Sequence, residues 1–352
     1  MSGTGSSIKR VKLKELLAAR ITGGEFSYGE RFPGLHQLCE QYNTSYVTVS
    51  RAMKLLEKEG YVQAQNGVGY FVCYVSPDIV TTRKVVNFIT GLTDADSKWQ
   101  IIEQGRELFE NAGWEVKLLT IPGGDLSSCG PQINSPDAYS VLFFTRINWE
   151  NFTATFGHVA RRVVVIGQLS GNADVCSIIS DEYETIRRCI EYFRSRKRFK
   201  TAIINAVTGK ELDMLRTAAW RSIMTSHGCT LDLLNDLCCN IEDEFLNDDR
   251  NLIRQKYTSW LRINKKKIDS VIISWSPDCF LEACQDTAVK VPEDIAVLAI
   301  ARSSKVGNSD IPILDHNLFG HFQCALEILE ERFKTGRKTP AAWHFIPPGK
   351  IC

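Results

Sequence analysis

The stretch "SYVTVSRAMKLLEKEG", residues 45–60, sets Val49, Ala52, Met53 and Leu56 at i, i+3, i+4 and i+7. That spacing is one apolar stripe of an α-helix. Ser45 in front of it has the chemistry of an N-cap, and Gly60 behind it that of a stop. The other side of the helix carries Tyr46, Val47, Ser50, Arg51 and Lys54. It is a short helix with one face for packing and a second face left to meet something else.

Working outward, residues 8–21 place Ile8, Leu13, Leu16, Leu17 and Ile21 at helical spacing and end at Gly23-Gly24. Pro33 opens a second helix, with Leu35, Leu38, Cys39 and Tyr42 as its stripe, and "YNTS" interrupts before Ser45. After Gly60, "YVQAQNGVGYFVCYV" gives two extended runs around Asn66-Gly67, a strong hairpin signal. Helix, helix, turn, helix and hairpin is the order of a winged helix-turn-helix. A helix held by a tight turn can enter the DNA major groove with its N-terminal residues against base edges. Ser45, Tyr46, Val47 and Ser50 are the candidates for base contact, and Thr48, Arg51 and Lys54 for phosphate. The Asn66-Gly67 turn carries the wing towards the backbone or the minor groove. Tyr46 has two readings, a base contact or packing on the second helix.

Residues 21–72 also resemble the DNA-binding domain of the GntR family of bacterial transcription regulators. The matches are Gly24, Phe26, Gly29, Pro33, Leu38, Thr48-Val49, Ala52-Met53, Leu56, Gly60, Gly67, Gly69, Phe71 and Val72. The family often has an Arg early in the second helix and another near the start of the third. His36 and Tyr46 stand at those places here, so His36 joins the candidate DNA contacts while the base preference of relatives does not carry over.

Past "CYVSPDIVTTRK" (73–84) the pattern changes. "VVNFIT" (85–90), "VKLLTI" (116–121), "SVLFF" (140–144) and "VVVIG" (163–167) alternate with helical stretches. A second series follows from about 182, with "TAIIN" (201–205), "SVIIS" (270–274) and "IAVLAI" (295–300) as its strands, then a helix at 319–335 and a Pro-rich tail. Near-continuous apolar strands alternating with amphipathic helices predict parallel sheets covered on both faces. The expected fold is therefore α/β: a winged helix over 1–74, a linker over 75–84 in which Pro77 breaks any helix, and a two-lobed parallel α/β domain over 85–352.

This C-terminal part resembles the effector domain of LacI-type repressors, which is similar to periplasmic sugar-binding proteins. Asp181 follows a strand and precedes a helix in "SIISDEYETIRRCIEYF". Arg216 and Trp220 resemble the R-x-x-G-[FW] signature, with Ala219 for Gly. Asp278 follows the strand "SVIIS", and "KVPEDIAVLAIAR" resembles V-P-x-D-[IV]-x-[VI]. The resemblance implies a ligand between two lobes at the carboxyl ends of strands. Arg216 is then an effector contact or a helix salt bridge, and Asp181 and Asp278 are effector contacts or helix N-caps. Trp149 and Trp275 follow strands, where they stack on a sugar ring or belong to the core. Arg302, where sugar-binding relatives carry acidic residues, favours an acidic ligand.

Composition bounds the rest. At 352 residues with 44% apolar and 24% charged side chains, the chain has ordinary globular content. Residues 1–72 carry nine Lys/Arg against six Asp/Glu, and the remainder 33 against 35, so the modest basic excess lies in the winged helix. No apolar run is long enough for a membrane span, and the start has no secretory h-region, so a cytoplasmic protein is expected. The 12 cysteines are scattered through apolar segments as reduced thiols, and no Cys/His set has metal-ligand spacing. No metal or cofactor is expected. There is no G-x-S-x-G, no phosphate loop and no lysine in a pyridoxal phosphate context, so no enzyme is expected. The function expected is a ligand-responsive transcription regulator: a homodimer on a pseudo-palindromic double-stranded DNA operator, with a small sugar or sugar acid as effector. Repression comes from the resemblance. The alternatives are a small-molecule sensor that has lost specific DNA binding, or a GntR-type fusion to a different ligand or enzymatic domain.

Overall fold

The computed structural model describes residues 4–26, 29–65, 67–74, 83–92, 99–121, 126–135, 137–143, 145, 147–207, 211–242, 249–301, 311–335 and 342–352. The first elements are α1 (Thr4–Thr22), α2 (Leu35–Gln41), α3 (Tyr46–Lys58), β1 (Val62–Gln65) and β2 (Gly69–Val72). Next come β3 (Val85–Thr90), α4 (Trp99–Asn111), β4 (Glu115–Thr120), α5 (Gly130–Ile133), β5 (Ala138–Phe143), α6 (Trp149–Phe156), β6 (Val163–Ile166) and β7 (Cys176–Ser180). Then follow α7 (Glu182–Arg194), β8 (Thr201–Val207), α8 (Glu211–Ser226), α9 (Leu231–Leu237), β9 (Cys238–Glu242), α10 (Arg250–Asn264) and β10 (Ser270–Ile273). The last are α11 (Pro277–Asp286), β11 (Ala296–Ala301), β12 (Ile313–Asp315), α12 (Leu318–Thr335) and β13 (Trp343–Ile346).

The chain divides into two compact units. One holds Met1–Ile166, Ser170–Ser177 and Gln323–Ala342; the other holds Gly167–Leu169, Ile178–Phe322 and Trp343–Cys352. Within the first, the winged helix has its own core of Leu13, Leu17, Ile21, Phe32, Leu38, Val49, Ala52, Met53, Leu56, Val62 and Val72. The stripe of α3 is fully buried at all four of its positions. The hairpin β1–β2 is antiparallel, with Val62 opposite Val72 and Gln65 opposite Gly69. Cys73 and Tyr74 do not prolong β2: both backbone N–H groups donate to Tyr61 O, and the Tyr61 and Tyr74 rings stack at 5.1 Å.

The α/β part is as the apolar strands require. One sheet runs β4-β3-β5-β6-β7-β13, and a five-stranded sheet in the second unit runs β9-β8-β10-β11-β12. Every pair in the five-stranded sheet is parallel, as are β4-β3, β3-β5 and β5-β6. Strand order reverses between β3 and β5, and between β8 and β10. In such sheets the crevice at the carboxyl ends of the strands flanking that reversal is where ligands bind.

Several elements escape the periodic reading. The segment α9-β9 lies between the strands read at 201–205 and 270–274, where no further strand is expected: Thr230 caps α9 by accepting from Leu233 N, and the adjacent Cys238 and Cys239 start an edge strand. The Pro-rich tail contains β13, and Ile351 bridges back to Leu314 beside β12. Helix α6 ends at Phe156 and continues as a 3-10 turn over Gly157–Arg162. No helix among the described residues is long and apolar enough to cross a membrane, and none of their His, Cys, Asp and Glu side chains form a group that could hold a metal ion.

Candidate nucleic-acid interface and effector site

Ser45 opens α3 in extended backbone, and its Oγ accepts from Thr48 N at 3.3 Å and lies 2.9 Å from Thr48 Oγ1. The cap thus uses Ser45 and Thr48 in each other's company at the tip of the helix. Tyr46 and Val47 are about half exposed, at 49% and 56%. Of the two readings for Tyr46, packing is met: its ring lies 5.3 Å from that of His36 on α2, while half of the side chain stays in solvent. Arg51 and Lys54 are exposed, and Ser50 is partly so. Neither cation has a carboxylate within ion-pair reach among the described residues. By contrast Lys14 pairs with Glu59 at 2.9 Å and Arg20 with Glu25, on the side of the domain that holds α1.

Gly67, with φ +75°, sits in the wing turn, a conformation glycine adopts without strain; Asn66 lies outside the described residues. Arg31, which motif reading passes over, reaches this turn. Its backbone bridges Phe71 of β2 in antiparallel fashion, and its Nη2 donates to Val68 O at 2.6 Å. Only the fold brings a residue between α1 and α2 to the hairpin tip.

In the second unit, a polar network fills the carboxyl end of the sheet at the strand-order reversal. Arg216 on α8 is 7% exposed and donates through Nε and Nη2 to both oxygens of Glu182, each at 2.7 Å. Its Nη1 donates to Asn205 Oδ1 at 3.0 Å, and Ser274 Oγ donates to the same oxygen at 2.7 Å. The salt-bridge reading of Arg216 is therefore satisfied, by a neighbour on α7 that sequence reading did not select. Trp220, four residues on, is fully buried, with Nε1 donating to Thr201 O.

From Arg216 a chain of hydrogen bonds runs on. Its Nη2 lies 3.5 Å from His316 Nε2; His316 Nδ1 lies 3.4 Å from Ser180 Oγ; Ser180 Oγ lies 3.3 Å from His321 Nε2. His321 Nδ1 ends the chain 2.9 Å from Asn317 O. A guanidinium can only donate and a carbonyl can only accept. His316 therefore accepts at Nε2 and His321 donates at Nδ1, while the roles along the Ser180–His321 contact follow the state of the His321 ring.

The remaining candidates are placed as follows. Asp181 caps α7, accepting from Glu184 N at 2.9 Å. Asp278 lies in the first turn of α11 rather than at its cap, which is Ser276 in left-handed backbone with φ 43°. The N-cap reading of Asp278 is thus corrected, because Pro277 occupies the first helical position. Trp275 follows β10; its carbonyl accepts from Tyr257 Oη at 2.7 Å, while its own Nε1 is buried with no partner among the described residues. In the first unit, Trp149 at the start of α6 has the same condition at Nε1, and so does the nearby Thr145 Oγ1 after β5. Arg302 lies outside the described residues. A buried donor without a partner costs about 1–3 kcal/mol, so each of these atoms needs an explanation.

Known proteins echo both parts. Residues 9–72 match the model described as "Bacterial regulatory proteins, gntR family". The arabinose metabolism transcriptional repressor of Geobacillus stearothermophilus is 26% identical over 112 residues, 32% of this chain and 31% of that protein. The HTH-type transcriptional regulator TreR of Bacillus subtilis (strain 168) is 36% identical over 110 residues, 31% of this chain and 39% of that protein. The chain thus spans about a third of the length of these curated relatives. Among solved structures, a transcriptional regulator CelR-cellobiose complex superposes with a TM-score of 0.62 at 12% identity, covering 91% of this chain and 98% of that one. A periplasmic binding protein/LacI transcriptional regulator from Alkaliphilus metalliredigens QYMF, complexed with D-xylulofuranose, gives 0.57 at 12% identity over 76% of this chain and 97% of that one. At such identities the structural likeness shows the fold. Residues 9–72 are thus similar to gntR-family DNA-binding domains, and the α/β part shares the fold of these solved regulators.

Proposed function

We propose that this chain is a ligand-responsive transcription regulator, a repressor acting as a homodimer on a pseudo-palindromic DNA operator in the cytoplasm. The observation that carries the reading is the outer face of α3. There Val47, Arg51 and Lys54 stand in solvent on a helix whose opposite stripe is fully buried, and neither cation is neutralised by a described neighbour. Unpaired cations on a rigid helix are what a phosphate backbone requires, and exposed side chains in its first turn are what base edges require. The direct candidates are His36, Tyr46, Val47, Ser50, Arg51 and Lys54, with Ser45 and Thr48 fixing the helix tip and Asn66-Gly67 the wing.

The effector reading rests on the orphan donors. Trp149 Nε1, Thr145 Oγ1 and Trp275 Nε1 stand beyond the carboxyl ends of β5 and β10 without partners among the described residues. In each unit taken by itself, a sugar offers hydroxyl oxygens to such N–H and O–H groups and an apolar ring face to the indole. Because Glu182 neutralises Arg216, the described part of the site favours a neutral sugar over a sugar acid. Asp278 is available as an acceptor for ligand hydroxyls; Asp181 and Arg216 shape the site from their own bonds. We read the protein as a regulator and not an enzyme, as its relatives are regulators.

The test is selection of the full chain on a random duplex library, then anisotropy titrations at two salt concentrations. A two-half-site motif with steep salt dependence is expected. Arabinose, cellobiose and xylulose are then added to the complex, and one of this class of neutral sugars shifts the DNA affinity. Uniform weak binding to all duplexes, with and without the sugars, would count against the proposal.

A further inference from the structure

We propose that Arg31 inserts into the DNA minor groove and makes the protein selective for A·T pairs flanking the half-site contacted by α3. The inference rests on the DNA-binding reading above and goes beyond the recognition helix. Arg31 belongs to neither helix nor hairpin in sequence. The structure ties its segment alongside β2: Phe32 N donates to Tyr70 O at 2.7 Å, Val72 N to Glu30 O at 2.9 Å and Gly29 N to Val72 O at 2.8 Å. These bonds fix the Arg31 backbone against β2, so its side chain starts from a rigid point.

The side chain then runs along the hairpin to its tip. Its Nη2 is held by Val68 O, and Val68 is itself 48% exposed. The guanidinium lies against Gly69, where a Cβ would be in ordinary van der Waals contact with Arg31 Nε (3.5 Å) and Nη2 (3.6 Å), and where the backbone, at φ +134°, takes a conformation that side chains avoid. A guanidinium has five N–H groups, and the bond to Val68 uses one. Arg31 is exposed, with no carboxylate in ion-pair reach among the described residues. The hairpin tip therefore carries a full positive charge on a flat, partly preorganised group.

That group suits a narrow groove. The minor groove is about 6 Å wide, too narrow for a helix but wide enough for a guanidinium edge. It is narrower and more negative along A·T tracts, and in G·C pairs the guanine amino group stands in the way. The wing also sits close to the recognition helix: Glu57 of α3 accepts from Ala64 N of β1 at 3.1 Å, tying the hairpin to the helix it accompanies. The two elements can therefore engage adjoining grooves of one site.

The experiment uses the full chain and the best duplex from the selection, resynthesised with A·T, G·C or I·C pairs in the flanks. Inosine lacks the guanine amino group, so I·C presents the A·T pattern in the minor groove and a G·C pattern in the major groove. Wild type is expected to bind A·T and I·C flanks about tenfold more tightly than G·C flanks, the size of one base-edge contact. Arg31→Ala and Arg31→Lys are expected to lose that ratio, with Lys keeping more total affinity because it keeps the charge. Matching thermal denaturation of the variants shows that the wing still folds. If wild type shows no flank preference, or if Arg31→Ala weakens all three duplexes equally and keeps the ratio, the minor-groove role is overturned. Failure of the selection to yield any motif would instead overturn the DNA-binding reading itself.

Discussion

Arg51 and Arg216 show how differently the winged helix and the α/β domain use the same side chain. Arg51 stands in solvent on α3 without a described carboxylate, on a domain whose own core holds the helix in place. Arg216 is 7% exposed, gripped at two points by Glu182 and at a third by Asn205. On the proposed reading, the α3 face keeps its charge unspent for a polyanion, because any internal partner competes with phosphate, while the proposed effector site neutralises its charge internally, so that selectivity falls to hydrogen-bond geometry. The two regions thus separate strength of attraction from discrimination.

The sharpest way to break this contrast is to remove Glu182. Glu182→Ala removes the two-point carboxylate partner of a buried guanidinium and is expected to lower stability by about 3–5 kcal/mol in denaturant titrations. Arg51→Ala is expected to change stability by less than about 0.5 kcal/mol. Equal effects of the two would erase the distinction.

Next in size is the effect on binding. Arg51→Ala should weaken DNA binding on all sequences and reduce the slope of log affinity against log salt by about 1. It should leave sugar binding, followed by calorimetry with whichever of the three sugars responds, unchanged. Trp275→Phe should do the reverse. It is expected to weaken sugar binding by about 1 kcal/mol, one hydrogen bond, without lowering the stability of the free protein, where Nε1 has no described partner. A loss of stability with no loss of sugar affinity would make Trp275 a core residue after all.

Two smaller effects sharpen the local picture. Ser45→Ala removes the α3 cap and should cost about 1 kcal/mol, seen as faster amide exchange in that helix. On α7, hydrogen bonds from Arg187 and then Arg188 hold the Glu184 carboxyl down at about 2 against an ordinary 4.5. A depressed carboxylate stabilises the fold above its unfolded value, and that contribution disappears as pH falls from about 4.5 towards 2. The stability gap between wild type and Glu184→Gln should therefore be full at neutral pH and close across that window.

Much of the architecture was legible because its signals are local. The stripe Val49, Ala52, Met53 and Leu56 and the cap at Ser45 lie within a dozen residues, and the apolar strands declare a parallel sheet one at a time. The elements that escaped are those whose reasons are distant. β9 exists because Cys238 and Cys239 find an edge beside Ile203 and Ile204, and β13 because a proline-rich tail returns to an open sheet edge. At the candidate site, Arg216 could be singled out, but its partner could not: Glu182 is 34 residues away, and nothing in "SDEYE" marks it over Glu184. Arg31 was invisible for the same reason, since its role depends on a bridge to Phe71 across two helices.

The chain from Arg216 to Asn317 has a sense as well as a path. Its first member has no lone pair to offer and its last has no proton to give, so His316 presents Nε2 as an acceptor and His321 presents Nδ1 as a donor. Ser180, His316 and His321 are all buried. The two imidazole N–H protons should then be visible to nuclear magnetic resonance as slowly exchanging signals, a native spectroscopic label sited where Arg216 meets the strand ends. A ligand that draws Arg216 even slightly away from His316 would be registered as a change in their frequency and lifetime.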